Sequence, residues 1–519
     1  MPNNKYAFSF EPMKEQQWYR LFLFINNYKN TELQKIQQVA FTHLTIIGGL
    51  IMSKEKTEAE LLKEKLCLKK DHFDERFGEE TGKADEFCVG YMDFLGTAKT
   101  ERECNAYIIE KAKKNGFSAF DRTKSYQPGD KVYYDNRGKA VILAVMGKKG
   151  VTEGAKIVAS HIDSPRLDLK PTPLYEDTEL AYFKTHYYGG LRKYQWGAIP
   201  LSLHGVLVRS DGTKVTVSLG EKPGEPKFVV TDLLPHLAKE QSKRTLSEGL
   251  KGEELNILIG SRPFKSDSGS ELVKLNILKL LNEKYGIIEE DFISAELELV
   301  PAFTVDSIGF DESLIGGYGH DDRVCAYPAF EALFSLTDAP EHTAVAVLAD
   351  KEEIGSDGNT GLNSSYLKYF IADLAALDNM EGRHVLSKSE CLSADVNAGF
   401  DPTFASVHDK NNAAFLNHGV VVTKYTGSRG KSGTSDASAE FVGKVRKILN
   451  DASVCWQTGE MGKVDEGGGG TVAMYIANLD VNVVDLGVPV LSMHSPYEIV
   501  AKSDVYSTFR ACEAFYKSE

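Results

Sequence analysis

No two of the seven cysteines stand close enough to form a CxxC pair. Cys67, Cys88, Cys104, Cys325, Cys391, Cys455 and Cys512 are scattered and odd in number. This argues against a disulfide framework and against a thiolate zinc site, and it fits a chain kept reduced in the cytoplasm. The sequence also lacks an apolar run long enough to cross a membrane. It lacks a basic excess: Lys and Arg total 60 against 74 Asp and Glu, for a net charge of -14. A surface that binds nucleic-acid phosphates needs the opposite balance. There is no internal repeat, and low complexity is confined to the "GGGG" run at 467–470. What is present is ordinary for a globular chain, 42% hydrophobic and 26% charged. Its 519 residues exceed one usual domain.

Residues 1–51 have no basic start, apolar centre and small-residue cleavage site of the kind a signal peptide carries. The short apolar patch "LTIIGGLI" is followed at once by Met52 and the polar "SKEKTEAELLKEKL". Gly48-Gly49 could be encoded by GGA-GGA, which resembles a ribosome-binding site just upstream of Met52. The expectation is that Met52 is the true start and that 1–51 is translated leader; the alternative is a natural extension packed on a neighbour. N-terminal sequencing of the native protein decides between them.

From about Glu58 the pattern is helical, through "EAELLKEKLCL", "DEFCVGYMDFL" and "TERECNAYIIEKAKKNGF", the last ending in a Lys-Lys-Asn-Gly stop signal. "KVYYD" and "AVILAVMG" around a turn at Asn136-Arg137-Gly138 predict a hairpin, and "AKIVASHID" another buried strand. Between roughly 170 and 307 the texture changes to short alternating strands ("LSLHGVLVRS", "KVTVSLG", "PKFVVTDLL") with one clear helix in "SELVKLNILKLLNEKYG". This predicts a β-rich domain at 170–307 inserted into a domain made of 52–169 and 308–519. Beyond it strands and helices alternate again: "TAVAVLAD", "CLSADVNA", "VVVTKY", the helix "SDASAEFVGKVRKILNDA", "ASVCWQT", "VPVLSMH" and a final helix "SDVYSTFRACEAFYKS". The predicted class is α/β, a layered mixed sheet flanked by helices. In such sheets ligands bind beyond the carboxyl ends of the strands.

At those ends stand metal-ligating side chains: His161 and Asp163, Glu352 and Glu353, Asp395, and His494, joined by His320, Asp321 and Asp322 in the glycine-rich "GGYGHDDR". One such residue is ordinarily a hydrogen-bonded turn residue. Two imidazoles and several carboxylates converging on one edge suit zinc, manganese or cobalt. The carboxylate count suits two ions with one carboxylate shared, held about 3.5–4 Å apart as in two-metal hydrolases. Asp163, two residues beyond His161, would point to the same face on a regular strand and could fix the second ring nitrogen of His161; it could alternatively act through local loop geometry. On an extended chain the side chains of Glu352 and Glu353 diverge.

The ordered set "SHIDSPRLDLKP", "GYGHDDRVCAY", "DKEEIGS", "SADVNAGFDP", "KYTGSRGKSGTSDASAEF", "DEGGGGTVA" and "MHSPYEIVAKSDV" resembles the M18 family of metalloaminopeptidases, the aspartyl aminopeptidase and aminopeptidase I group, and most of all its bacterial branch. The resemblance covers the chain from about Met52. It implies a dinuclear zinc peptidase fold interrupted by a β-rich dimerisation domain, two divalent ions (zinc, with cobalt or manganese as alternatives) and small peptide substrates. It implies a large homo-oligomer, commonly a tetrahedral dodecamer. Position by position, it implies that His161 and Asp395 hold one ion, Glu353 and His494 the other, and Asp321 bridges, with Asp322 as rival. Glu352 matches the general base and Asp163 the His-orienting carboxylate. His236 in "LLPHLA" matches a histidine that completes a neighbouring subunit's site; a packing or capping role is the alternative.

The chain departs from eukaryotic members at "YGGLRKYQWGAIPLSLHG", where Gly197-Ala198-Ile199-Pro200 stands in place of an acidic-basic-acidic run. Lys424, Arg429 and Lys431 could pair with an acidic substrate side chain or simply form a solvated loop, and "GGGG" could let backbone approach the substrate. Besides an aminopeptidase, two readings stay open: an inactive scaffold on the same fold, and an N-acyl amide hydrolase or carboxypeptidase using the same metal site.

Overall fold

Strands with near-continuous apolar runs must be covered on both faces. Ala140–Val145, Ala155–His161 and Thr343–Ala349 have that character, and every residue in them is buried. The computed structural model describes residues 56–519; the expected leader at 1–51 and the expected start at Met52 lie outside them. Of the described residues, 56–69 belong to a different unit from 70–519. They hold the helix Glu58–Leu66, opened by a capping box between Thr57 and Glu60.

In the larger unit the chain first builds β1 (Ser118–Ala119), β2 (Lys131–Asn136), β3 (Ala140–Val145) and β4 (Ala155–His161). It then lays down β5 (Arg166–Asp177), β6 (Leu180–Tyr188), β7 (Leu201–Val208), β8 (Lys214–Leu219), β9 (Val229–Val230), β10 (Ile257–Gly260) and β11 (Glu296–Pro301). After β12 (Asp306–Ile308) and β13 (Leu314–Gly317) it returns with β14 (Thr343–Ala349), β15 (Glu390–Ser393) and β16 (Asn397–Ala398). It closes with β17 (Val420–Thr423), β18 (Trp456–Thr458), β19 (Asn482–Gly487), β20 (Pro489–Val490) and β21 (Glu498–Ala501).

The main sheet has nine strands in the order β1-β2-β3-β14-β4-β15-β19-β17-β18. Its centre, β14-β4-β15-β19, is parallel, with Ala349 opposite His161, so four carboxyl ends lie along one edge. On one face pack the helices Thr81–Thr97, Glu101–Lys114, His320–Phe334 and Lys502–Lys517, contributing Phe94, Ile108, Phe330 and Phe515. On the other lies Tyr366–Leu377, with Phe370 and Leu374. Burying each such side chain is worth about 1.5–3 kcal/mol, so this two-sided core holds the edge rigid. The fold is an α/β layered mixed sheet flanked by helices.

A second sheet, β8-β7-β11-β5-β6-β10-β9, is antiparallel at every pairing and packs on Trp196, Phe292 and Ile287. The chain leaves the main sheet after His161 to build it, passes through β12 and β13 of a small three-stranded sheet with β21, and rejoins the main sheet at β14. His204 on β7 ties the second sheet to the main one. Its Nδ1 lies 2.8 Å from Glu103 Oε1, and its Nε2 lies 3.0 Å from Glu221 Oε1. Glu103 is also the capping-box residue of Glu101–Lys114, accepting the Lys99 and Thr100 N–H groups.

Two strand expectations are corrected. "PKFVVTDLL" yields only Val229–Val230 before the chain turns, because the polar Thr231-Asp232 and Pro235 interrupt the ladder. "VPVLSMH" yields only Pro489–Val490; Ser492 and His494 take positive φ, which breaks the strand before the histidine.

Candidate metal centre

β4 ends on His161, whose side chain is 1% exposed. The ring Nδ1 is 3.0 Å from the Asp163 carbonyl and 3.3 Å from Asp163 Oδ1, which leaves Nε2 facing outward. Asp163 lies past the end of β4, so loop geometry and not strand alternation brings it to the ring. Its carboxylate also accepts the backbone N–H groups of Glu352 (3.2 Å) and Glu353 (3.3 Å). This follows from how β14 ends. Lys351 takes φ +69° and Glu352–Ile354 closes a tight turn, so two successive N–H groups point into one anion-binding concavity. The two glutamates are therefore not on extended chain, and the turn sets their separation.

Asp321 lies at the start of the helix His320–Phe334, joined to Asp322 by a cis peptide bond. Asp321 Oδ1 is 3.1 Å from His161 Nε2, and Oδ2 is 3.0 Å from His494 Nε2. One carboxylate thus faces both imidazoles, one oxygen to each. Glu353 Oε2 stands 3.6 Å from His494 Nε2. Glu352 Oε2 and Asp395 Oδ1 stand 3.8 and 4.0 Å from His161 Nε2. Ligand atoms of His161, Asp321 and Glu353 lie within 4.8 Å of one another, as do those of His161, Asp322 and Asp395. Glu498, at the start of β21, accepts the backbone N–H of His494 (2.6 Å) and of Asp321 (3.1 Å). It binds backbone, so it has no signature in sequence beyond lying four residues after His494.

These carboxyls crowd one buried volume. Burial, followed by the charge of Asp321, pushes Glu353 well above the usual carboxylate range, and burial with Asp322 and Glu352 does the same to Asp395. Glu352 rises to about 7 through burial and the charges of Asp321 and Asp163, against the pull of His161. Burial opposes the charged form of Asp321 too, but His161 and His494 outweigh it and hold Asp321 low. Burial likewise disfavours a charged His494, yet Asp321 and Glu353 lift it to about 11. Glu353 Oε1 and Asp322 Oδ1 are buried with no hydrogen-bond partner. Orphaned acceptors, mutually repelling carboxyls and two outward Nε2 atoms form a donor set that fits divalent cations with mixed N/O preference.

The centre opens into a cavity of about 410 Å³. Its walls include Met461, Met474, Met493 and Val396, the polar Thr471 and Tyr475, and the backbone of Gly190, Gly355, Gly468, Gly469 and Gly470. Gly468 takes φ +122°, and a Cβ there would strike the Gly427 carbonyl, so this wall requires glycine. Lys424, Arg429 and Lys431 do not line this cavity. Lys424 and Lys431 each pair with Asp436 at 3.0 Å, and Arg429 and Lys431 line a neighbouring cavity of about 130 Å³ that shares Met461 and Gly468 with this one. His236 is exposed in a turn beyond β9 and is not part of the cluster within one chain. Among the described residues no helix is long and apolar enough to cross a membrane.

Residues 94–516 match the family model described as aminopeptidase I zinc metalloprotease (M18). A Clostridium acetobutylicum protein named as a probable M18 family aminopeptidase 1 is 49% identical over 439 residues, covering 83% of this chain and 94% of its own. Two crystal structures share the fold. The Thermotoga maritima M18 aminopeptidase has a TM-score of 0.83 at 43% identity, covering 87% of this chain and 100% of its own. The Clostridium acetobutylicum aminopeptidase I has 0.81 at 45%, with the same coverage.

Proposed function

The chain belongs to the M18 family of zinc metalloaminopeptidases, and from that premise we propose how its site cleaves peptides. The observation that carries the reading is Asp321, whose two oxygens each face a different imidazole at 3.1 and 3.0 Å. Two divalent ions would be held there, one by His161 and Asp395 and one by Glu353 and His494, with Asp321 between them; zinc fits, and cobalt or manganese would suit the same donors. Bound, they would supply Lewis acidity and lower the pKa of water toward about 7.

The chain's own residues do the rest. Glu352 is the carboxylate with the most open side chain of the pair, 18% exposed against 3% for Glu353. It accepts the proton of the attacking water and returns it to the nitrogen of the leaving amine. Asp163 holds the His161 ring through Nδ1, so Nε2 stays a lone-pair donor. The free substrate amine is met by the carboxylates of the cavity, which limits cleavage to the N-terminal residue of unblocked peptides. The three methionines and Val396 favour an apolar side chain on that residue. The second sheet, with His236 flanked by Leu233, Leu234 and Leu237, exposed by 51%, 49% and 68%, serves as the dimerisation domain of a homo-oligomer and brings His236 to a neighbouring subunit's site.

Glu352→Gln tests the base assignment. Expected is a fall in kcat of about 10²–10⁴ with zinc content unchanged. Undiminished peptide hydrolysis refutes the assignment, and turnover of N-acetylated peptides by the parent enzyme refutes the aminopeptidase reading.

A further inference from the structure

Tyr188, the last residue of β6, and Gly189-Gly190, which lead out of the second sheet, lie against the candidate metal centre of the first. Tyr188 Oη donates to Asp163 Oδ2 at 2.8 Å. The Gly190 carbonyl accepts from His494 Nδ1 at 2.8 Å. Gly189 takes φ +74°, and a Cβ there would sit 3.2 Å from Glu353 Oε2 and 3.3 Å from Glu353 Cβ. The Tyr188 ring is held in turn by the Arg166 guanidinium, 3.7 Å above its centroid. Arg166 itself is anchored at 2.8 Å to Asp168 and at 3.2 Å to Glu298, on β5 and β11.

Both imidazoles of the centre must present Nε2 to Asp321, and each does so because its Nδ1 is occupied. For His494 the occupant is Gly190 itself. For His161 it is Asp163, through its carbonyl at 3.0 Å and its Oδ1 at 3.3 Å, and Tyr188 holds Oδ2 of the same carboxylate. A carboxylate or carbonyl on the second nitrogen fixes both the tautomer and the ring orientation of a ligating histidine. Gly189 acts by what it omits: any side chain there would crowd Glu353, whose Cβ and Oε2 lie 3.3 and 3.2 Å from where a Cβ would stand. The end of β6 and the two residues after it therefore bear on groups assigned to both ions, Tyr188 and Gly190 by hydrogen bonds and Gly189 by the space it leaves.

We propose that Tyr188-Gly189-Gly190 is a positioning clamp through which the second sheet sets the ligand geometry of the metal centre. The segment is thus required for full metal loading and is not merely a linker to a dimerisation surface. This rests on the two-ion reading above. Tyr188, Gly189 and Gly190 are positioning residues that act through Asp163, Glu353 and His494, although Gly190 also lines the cavity.

The test is zinc binding by the purified full-length chain, read as ions per chain after equilibration with a chelator of known affinity. Gly189→Ala is compared with Gly212→Ala, in the turn between β7 and β8, which shares the positive φ (+83°) but has nothing within 4 Å of its added Cβ. Expected is that Gly189→Ala weakens one of the two ions about 10–100-fold, while Gly212→Ala keeps both at parental affinity. Tyr188→Phe, which deletes one hydroxyl, is expected to weaken the ion assigned to His161 by a similar factor. Should Gly189→Ala not fold, Gly190→Ala, whose Cβ would meet His494 Nδ1 at 3.2 Å, takes its place. If the glycine variants of the clamp and the control melt alike and all retain two ions at parental affinity, the clamp is refuted and the two-ion reading stands. If the parent chain binds a single ion, the two-ion reading falls and takes the clamp with it.

Discussion

Raising the pH should loosen the join between the two sheets, and His204 sets the amount. The ring is 1% exposed and sits between Glu103, on the helix Glu101–Lys114, and Glu221, just beyond β8; Ser202 on β7 also lies 3.1 Å from Nε2. Burial works against its charged form, but the two carboxylates outweigh burial and lift it to about 9 from an ordinary 6.5. A histidine whose folded value is raised contributes stability fully below its unfolded value and loses it as pH climbs through the folded one. Each pH unit in that interval is worth about 1.4 kcal/mol, so about 3 kcal/mol should drain away between pH 6.5 and about 9.5. His204→Gln separates this from every other titrating group. The variant is less stable at pH 6 because two partly buried carboxylates lose their cation, but its stability should lack this pH-dependent component. The measurement is urea unfolding of parent and variant at pH 6, 7.5, 8.5 and 9.5. Converging curves support the reasoning; curves that stay parallel across the range refute it.

The remaining predictions are briefer. A zinc-loaded enzyme given Leu-, Met-, Asp-, Glu- and Lys-terminated peptides should favour Leu and Met in kcat/KM, since no lysine or arginine lines the cavity that holds Asp321 and Glu352; preference for Asp would show that another surface reads the side chain. Phe330→Ala, fully buried between the main sheet and its helices, should cost about 3–5 kcal/mol in urea unfolding, and a loss below 1 kcal/mol would mean that the core closes over the gap.

Much of the layered fold is legible because each element obeys its own period. Thr100 and Glu103 frame a helix start, and β4 and β14 are apolar runs bounded by turns. The ligand candidates are legible for a related reason: parallel strands deliver their ends to one edge, so His161, Glu353 and Asp395 can be placed before any side chain is seen. What escapes sequence is whatever depends on backbone partners or distant segments. Glu498 works by accepting two N–H groups, and Gly190 by offering a carbonyl; neither has a side-chain pattern to find. The turn at Lys351 escapes as well, since a positive φ at lysine runs against local preference and is sustained by Asp163, nearly two hundred positions away. The methionine wall is assembled from three segments whose spacing shares no period.

The order in which the centre's parts are made has its own consequence. The proposed donors at 161, 321, 353, 395 and 494 are spread over most of a chain of 519 residues. A polypeptide emerging from the ribosome carries His161 long before His494 exists, and for most of synthesis it owns carboxylates with no second imidazole to share them. Maturation of the centre is therefore an event of the finished chain, and a truncated product lacking its last few dozen residues carries an edge rich in acid but no completed site.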